Sequence, residues 1–173
     1  LKLLNKMIFL IPFVLLLNCG PVDSHYATEP QSEISKNEVK QESGYLQTGW
    51  YYLSNKESGI ARKLKGTEEL VYLDPKPIAT VKNFSNIEIY QSNSGDFGLT
   101  IKLDKEGTKA WSVATGKSIG EKLALVIDDQ VFYTPTVNSQ IDFGITALNR
   151  GDLTEVELRN LQNKIEKEKK AKP

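Results

Sequence analysis

FGLTIKLDKEGTKAWSVATGKSIGEKLALVIDDQVFYTPTV, Phe97–Val137, is the stretch whose reading decides the fold. Its opening alternates, with Phe97, Leu99, Ile101 and Leu103 on one face and Thr100 and Lys102 on the other, which predicts a half-buried strand. Asp104 then offers a carboxylate to the free N–H groups of a helix start, and Glu106 suits the positive end of the helix dipole. The helix is expected to run to about Thr115 and to stop at Gly116. Gly107, Trp111 and Ala114 share one face at helical spacing, so Trp111 should anchor the helix on a sheet while Gly107 permits close approach. Leu123–Ile127 (LALVI) is an unbroken apolar run, the pattern of a strand buried on both faces. Asp128-Asp129-Gln130 turns the chain and Val131-Phe132-Tyr133 returns. A calcium loop needs ligands at alternate positions with a following glycine, which these aspartates lack, so they read as a tight turn.

Working outward, Asn86–Gln91 alternates and pairs with Phe97–Leu103 as a hairpin across a Ser/Asn/Gly turn. Thr80 is placed to cap one short helical turn before it. Upstream, Trp50-Tyr51-Tyr52-Leu53, Ile60–Leu64 and Glu69–Leu73 read as three short strands, the last ended by Asp74-Pro75. The aromatic cluster Trp50–Tyr52 is a core or cross-strand ladder in the first instance and a ligand platform in the second. Downstream, Ile141–Ile145 leads into a last short strand ending at Thr146-Ala147-Leu148. Thr154 and Glu157 then form a capping box, with Leu153 and Leu158 as its hydrophobic staple. Leu158, Leu161 and Ile165 make one stripe, the pattern of a surface helix docked by one side. Residues 166–173 (EKEKKAKP) read as a charged, fraying tail. The predicted class is α+β, a largely antiparallel sheet with two main helices packed on it, in a single domain over residues 44–165.

The chemistry available to this chain is narrow. Basic and acidic residues balance, 22 against 22, so no global field favours nucleic acid. With one histidine, His25, and one cysteine, Cys19, neither an internal disulfide nor a Cys/His zinc site can form. Serine–histidine and cysteine–histidine catalysis would rest on His25, in a polar stretch with no helix or strand period. No spacing singles out a carboxylate pair or a Ser-Lys dyad, so no catalytic residue, cofactor or metal is assigned.

Residues 1–20 (LKLLNKMIFLIPFVLLLNCG) have Lys2 and Lys6 ahead of a short apolar run, Met7–Leu17, the pattern of a secretory signal. Leu16-Leu17-Asn18-Cys19 resembles a bacterial lipobox, with Asn18 where a small residue is usual. Residues 1–18 are thus expected to be a lipoprotein signal peptide and Cys19 the lipidated first residue of the mature chain, held in the membrane by its acyl chains. The opening leucine is expected to reflect an alternative start codon. Without residues 1–18 the chain has 20 basic and 22 acidic residues, a formal charge of −2. Pro21–Ser43 is polar and without period, a flexible tether with a root-mean-square span of roughly 25–30 Å.

Residues from about Pro77 to Leu161 resemble the head subdomain of the first periplasmic domain of SecD, an accessory of protein export. The features that carry this are Pro77-Ile78-Ala79-Thr80, Leu99-Thr100-Ile101, Glu106-Gly107, Ile119-Gly120-Glu121-Lys122-Leu123-Ala124-Leu125-Val126-Ile127-Asp128, Tyr133-Thr134-Pro135, Ile141, Gly144 and Thr154-x-x-Glu157. Gly44–Leu73 lies outside the match. The resemblance implies an α+β head that engages polypeptide. The expected function is a lipid-anchored, non-enzymatic protein of the bacterial cell envelope, its domain outside the cytoplasm, binding unfolded polypeptide or an envelope protein and linked to export. An exposed strand edge near Val131–Tyr133 is the expected docking edge. Trp50, Tyr52, Val131, Tyr133, Pro135 and Asn138 are the expected contact residues. The alternative is a lipoprotein that regulates or inhibits one envelope enzyme or complex through the same loop and aromatic cluster.

Overall fold

Burial along Leu123–Ile127 alternates between two cores. Leu123, Leu125 and Ile127 pack into the larger one, and Ala124 and Val126 into a smaller one behind it. All five are fully buried, as the unbroken apolar run requires. A computed structural model describes residues 44–171. The signal segment, Cys19, His25 and the tether lie outside the described residues.

Eight strands and two helices follow in order: β1 Gly49–Leu53, β2 Ile60–Lys63, β3 Leu70–Thr80, β4 Phe84–Gln91, β5 Phe97–Leu103, α1 Lys105–Lys117, β6 Leu123–Ile127, β7 Gln130–Tyr133, β8 Ile145–Leu148 and α2 Glu155–Lys170. They form two antiparallel sheets rather than one. The first has strand order β2-β3-β1-β6-β7 and the second β4-β5-β8. The first sheet rolls until its outer strands meet: Leu64 bridges Val131, and the Lys65 N–H donates to the Val131 carbonyl at 2.7 Å. The small core of Leu46, Tyr51, Val71, Leu73, Ala124, Val126 and Val131 fills its inside. Its outer face shares the large core with the second sheet and both helices.

β3 explains how the roll is made. The Asp74-Pro75 step does not end this strand, as its composition predicted; the strand runs on through both prolines to Thr80. Leu70–Leu73 pairs with β2, while Pro77–Thr80 pairs with β1, and the β1 ladder slips between Leu53↔Leu73 and Tyr51↔Pro77. Proline has no N–H to give the ladder, so the segment bulges there and the strand bends from one neighbour to the next.

The remaining local expectations are met, with two extensions. Thr80 caps the turn Val81–Asn83, and Asn83 completes a capping box. Asp104 caps α1 by accepting the Gly107 N–H at 2.7 Å. A methyl at Gly107 would sit 2.8 Å from Asn83 Cβ, so only glycine lets the helix start lie this close. α1 passes through Gly116 to Lys117, and the left-handed turn comes later, at Gly120 (φ 86°). α2 begins at its capping box and continues to Lys170, so the charged tail is helix through that residue. Glu168 near its end accepts the Thr48 N–H at 2.9 Å. The aspartate pair forms a two-residue hairpin turn between paired Ile127 and Gln130, both with positive φ (53° and 63°), the signature of a type I′ turn. Asp129 accepts from the Leu46 N–H (2.9 Å) and from Arg62 Nη2 (2.6 Å), and Asp128 pairs with Lys164 (2.8 Å). The Lys164 hydrogen bond holds the Asp128 carboxyl below its usual range. No helix among the described residues is long and apolar enough to cross a membrane.

A cleft beside an open strand edge

Tyr133 leaves β7 and the chain takes an excursion, Thr134–Gly144, before entering β8. This strap lies along α1. The Ile141 N–H donates to Thr115 Oγ1 at 3.0 Å, Gln140 Nε2 donates to Ser112 Oγ at 2.9 Å, and the Ser112 hydroxyl donates to Asp142. Gly144 ends it with φ 60°, its α-carbon so close to α1 that an added Cβ would lie 2.0 Å from Thr108 Oγ1. Its carbonyl accepts the Leu103 N–H at 2.8 Å.

Between strap, α1 and β8 lies a cleft of about 350 Å³. One wall is β8, with Ile145, Thr146 and Ala147; the other is Tyr133, Pro135 and Asn138. Trp50 from β1 and Trp111 from α1 also line it, with ring centroids 4.7 Å apart and planes tilted by 48°. Both indole Nε1 atoms are buried without a hydrogen-bond partner. A buried donor left unpaired costs about 1–3 kcal/mol. Burial pushes the Tyr133 phenol above its usual range, with the Tyr90 phenol adding to it.

The free groups of β8 follow from its register. The Leu103–Gly144 bond fixes which β8 residues face β5. Counting along the antiparallel ladder, Thr146 and Leu148 exchange bonds with Ile101 and Leu99, whereas Ile145 and Ala147 sit at non-bonded positions. The N–H and carbonyl of Ile145 and Ala147 therefore point away from the sheet, on the edge that pairs with no strand. The other sheet edges are occupied. β2 and β7 meet each other, and the Arg150 guanidinium clasps the seam by donating to the Lys65 carbonyl (2.8 Å) and the Phe132 carbonyl (3.0 Å). β4 is covered by α2, whose Gln162 Nε2 donates to the Ile87 carbonyl at 2.8 Å.

The expected contact residues thus divide. Trp50, Tyr133, Pro135 and Asn138 come together on the cleft. Val131 does not: it is fully buried in the small core, and its carbonyl is taken by Lys65. The docking edge expected at Val131–Tyr133 is closed, because a non-adjacent segment returns to it. Trp50 is core, 1% exposed, and offers no outer surface. Tyr52 lies apart, in a shallow apolar groove with Ile78 and Val113. Residues without an expected site role are Trp111, which helical spacing marked only as packing, Thr115, expected only as the helix end, and Ile145–Ala147, whose open edge no local signal discloses. Among the described residues no group of three His, Cys, Asp or Glu is placed to hold a metal.

Two solved structures share this architecture. One, of SecDF as a membrane component that enhances protein export, is 15% identical over 80% of this chain and 70% of that chain, with a TM-score of 0.55. The other, SecDF in its super-membrane-facing form, is 17% identical over 68% of this chain, with a TM-score of 0.53. This chain spans 19% of that one's length. At these identities the likeness is one of fold. No curated protein matches the chain. The family SecDF, P1 head subdomain, matches residues 57–166, which takes in β2 and β3 as well as the Pro77–Leu161 segment. Together with the strand order and the bracing helices, a match over more than half of its length makes this chain a member of the SecDF P1 head subdomain family.

Proposed function

We propose that this protein is a lipid-anchored, non-enzymatic envelope domain that holds extended polypeptide outside the cytoplasm in support of protein export. The observation that carries it is the open edge of β8 beside the cleft. Two outward N–H groups and two outward carbonyls, at Ile145 and Ala147, are the pattern an extended chain pairs with when it joins a sheet. Tyr133, Pro135 and Asn138 form the opposite wall, where side chains of such a segment are read. Membership of a family of export-associated head subdomains supports the same partner. Cys19 and the tether supply the anchor, with a reach of roughly 25–30 Å for the domain.

A photo-crosslinking residue placed at Ile145 in cells tests this. Ile145 is 42% exposed at the open edge, and Val156 on α2, 69% exposed, is the control position. The expected result is crosslinking of secreted chains in transit from position 145 and none from 156. Equal yields at the two positions, or capture of a single folded enzyme at 145, would overturn the reading, the second in favour of a regulatory lipoprotein.

A further inference from the structure

The chain has two tryptophans, Trp50 and Trp111, and both line the one cleft. Each Nε1 is sealed from water and without an acceptor. An indole nitrogen only donates. Buried polar groups without partners are rare, and two of them on side chains that line the same cleft point to an acceptor that it lacks. The rest of the lining narrows it. Leu123, Val137 and Ile141 are apolar, Thr136, Asn138 and Ser139 offer hydroxyls and an amide, and no Asp, Glu, Lys, Arg or His takes part. A carboxylate would lose its water there with no cation to meet it. A carboxamide oxygen is uncharged and has two lone pairs, one for each indole, and its NH2 group finds the hydroxyls and Asn138.

We infer that the cleft is a side-chain pocket for asparagine or glutamine in the bound segment, whose carboxamide oxygen accepts from Nε1 of Trp50 and of Trp111. The inference rests on the polypeptide-binding reading above. A strand added to β8 places every second side chain on the face of Thr146 and Leu148, and Thr146 lines the cleft. The strap must yield for the carboxamide to reach the sealed donors. The part that must move is Asn138–Asp142, held by bonds from Ile141 and Gln140 to the Thr115 and Ser112 hydroxyls, the Gln140 bond being exposed, whereas Pro135–Val137 is fixed by backbone bonds to Gly120, Glu121 and Leu123.

The two indoles give the test its own readout, since the full chain has two indole N–H resonances in a nitrogen-15 spectrum. The probes are the peptides acetyl-Thr-Val-Gln-Val-Thr-amide and its versions with Leu or Glu at the centre. The glutamine peptide is expected to bind about tenfold tighter than either, to move both indole resonances downfield and to slow their hydrogen exchange. In Trp50→Phe and Trp111→Phe the glutamine preference should shrink toward onefold while the leucine peptide still binds. Equal binding of the glutamine and leucine peptides by the unaltered chain, or binding that leaves both indole resonances in place, overturns the pocket and spares the edge. Tighter binding of the glutamate peptide overturns the uncharged specificity. If none binds and the Ile145 and Ala147 amides stay unmoved, the polypeptide-binding reading falls with it.

Discussion

β7 and β8 are both four-residue antiparallel strands at the end of a sheet, yet one is sealed and the other is open. β7 meets the end of β2 on its free side, with the Leu64–Val131 bridge and the Arg150 clasp closing the seam. β8 has β5 on one side and the cleft on the other. Nothing in the composition of QVFY and ITAL explains the difference. What decides it is which distant segment lies alongside: the bend at Pro75 and Pro77 of β3 holds the β2 end, with Leu64, against β7, whereas the strap that reaches β8 is pinned to α1 instead. An edge is therefore a property of the whole chain path, and a docking strand is the one that no segment has come back to cover.

The contrast can be broken at several points. Emptying the inside of the rolled sheet should do most. Leu73 is fully buried there, and Leu73→Ala removes its contacts and leaves a cavity, so a loss of about 2–5 kcal/mol is expected in denaturant unfolding. Opening the clasp comes next. Arg150→Met removes two charge-assisted bonds to carbonyls, an expected loss of about 1.5–3 kcal/mol, and hydrogen exchange should quicken at Lys65 and not at Ile101 in the second sheet. Equal quickening at Ile101 would show that the seam is not a separate closure. Gly144→Ala should cost about 1–3 kcal/mol through its left-handed backbone and its clash with Thr108. Adding Thr108→Ala should restore the part due to the clash and not the part due to φ, which a thermal melt of single and double variants separates.

A pH test distinguishes the two sheets as well. Burial pushes the Tyr51 phenol in the small core up to about 12, with the charges of Glu168, Asp129 and Tyr45 adding to it. The folded state then keeps a proton that the unfolded chain releases near pH 10, so this contribution is whole below about pH 10 and is lost as pH rises toward 12. Exchange at the rolled sheet should quicken through that window before exchange at β5 does, and Tyr51→Phe should narrow the difference, the smaller remainder belonging to Tyr52 and Tyr133, whose phenols burial also raises. The smallest stability effect belongs at the open edge. Ala147→Pro deletes one outward N–H that bonds to no strand, so unfolding should shift by no more than about 0.5–1 kcal/mol while binding of an extended peptide is lost. A large stability loss there would mean that the edge is not free.

Much of the architecture was legible because it is written in local signals. The LALVI run, the caps at Thr80, Asp104 and Thr154, the leucine stripe of α2 and the aspartate turn each follow from a few neighbouring residues and short-range hydrogen bonds. Those signals also brought Tyr133, Pro135 and Asn138 together with Trp50, since they pointed to the chain that leaves β7. They left the edge at Val131–Tyr133 open, where it is closed, because closure at Val131 depends on Leu64 and Lys65, more than sixty residues earlier in sequence. They also read the tail as fraying, where Glu168 meets the Thr48 N–H across the fold.

What the sequence by itself determined was the class of fold, the helix boundaries at their capped ends and the exclusion of an internal disulfide and of a Cys/His zinc site, all consequences of residue type, number and spacing. Only the tertiary structure decided that there are two sheets rather than one, which of their edges stays open, and that both tryptophans meet there with unpaired donors. Those outcomes turn on non-local pairing, where the bend at two prolines and the path of one strap settle which polar groups find partners and which are left unpaired.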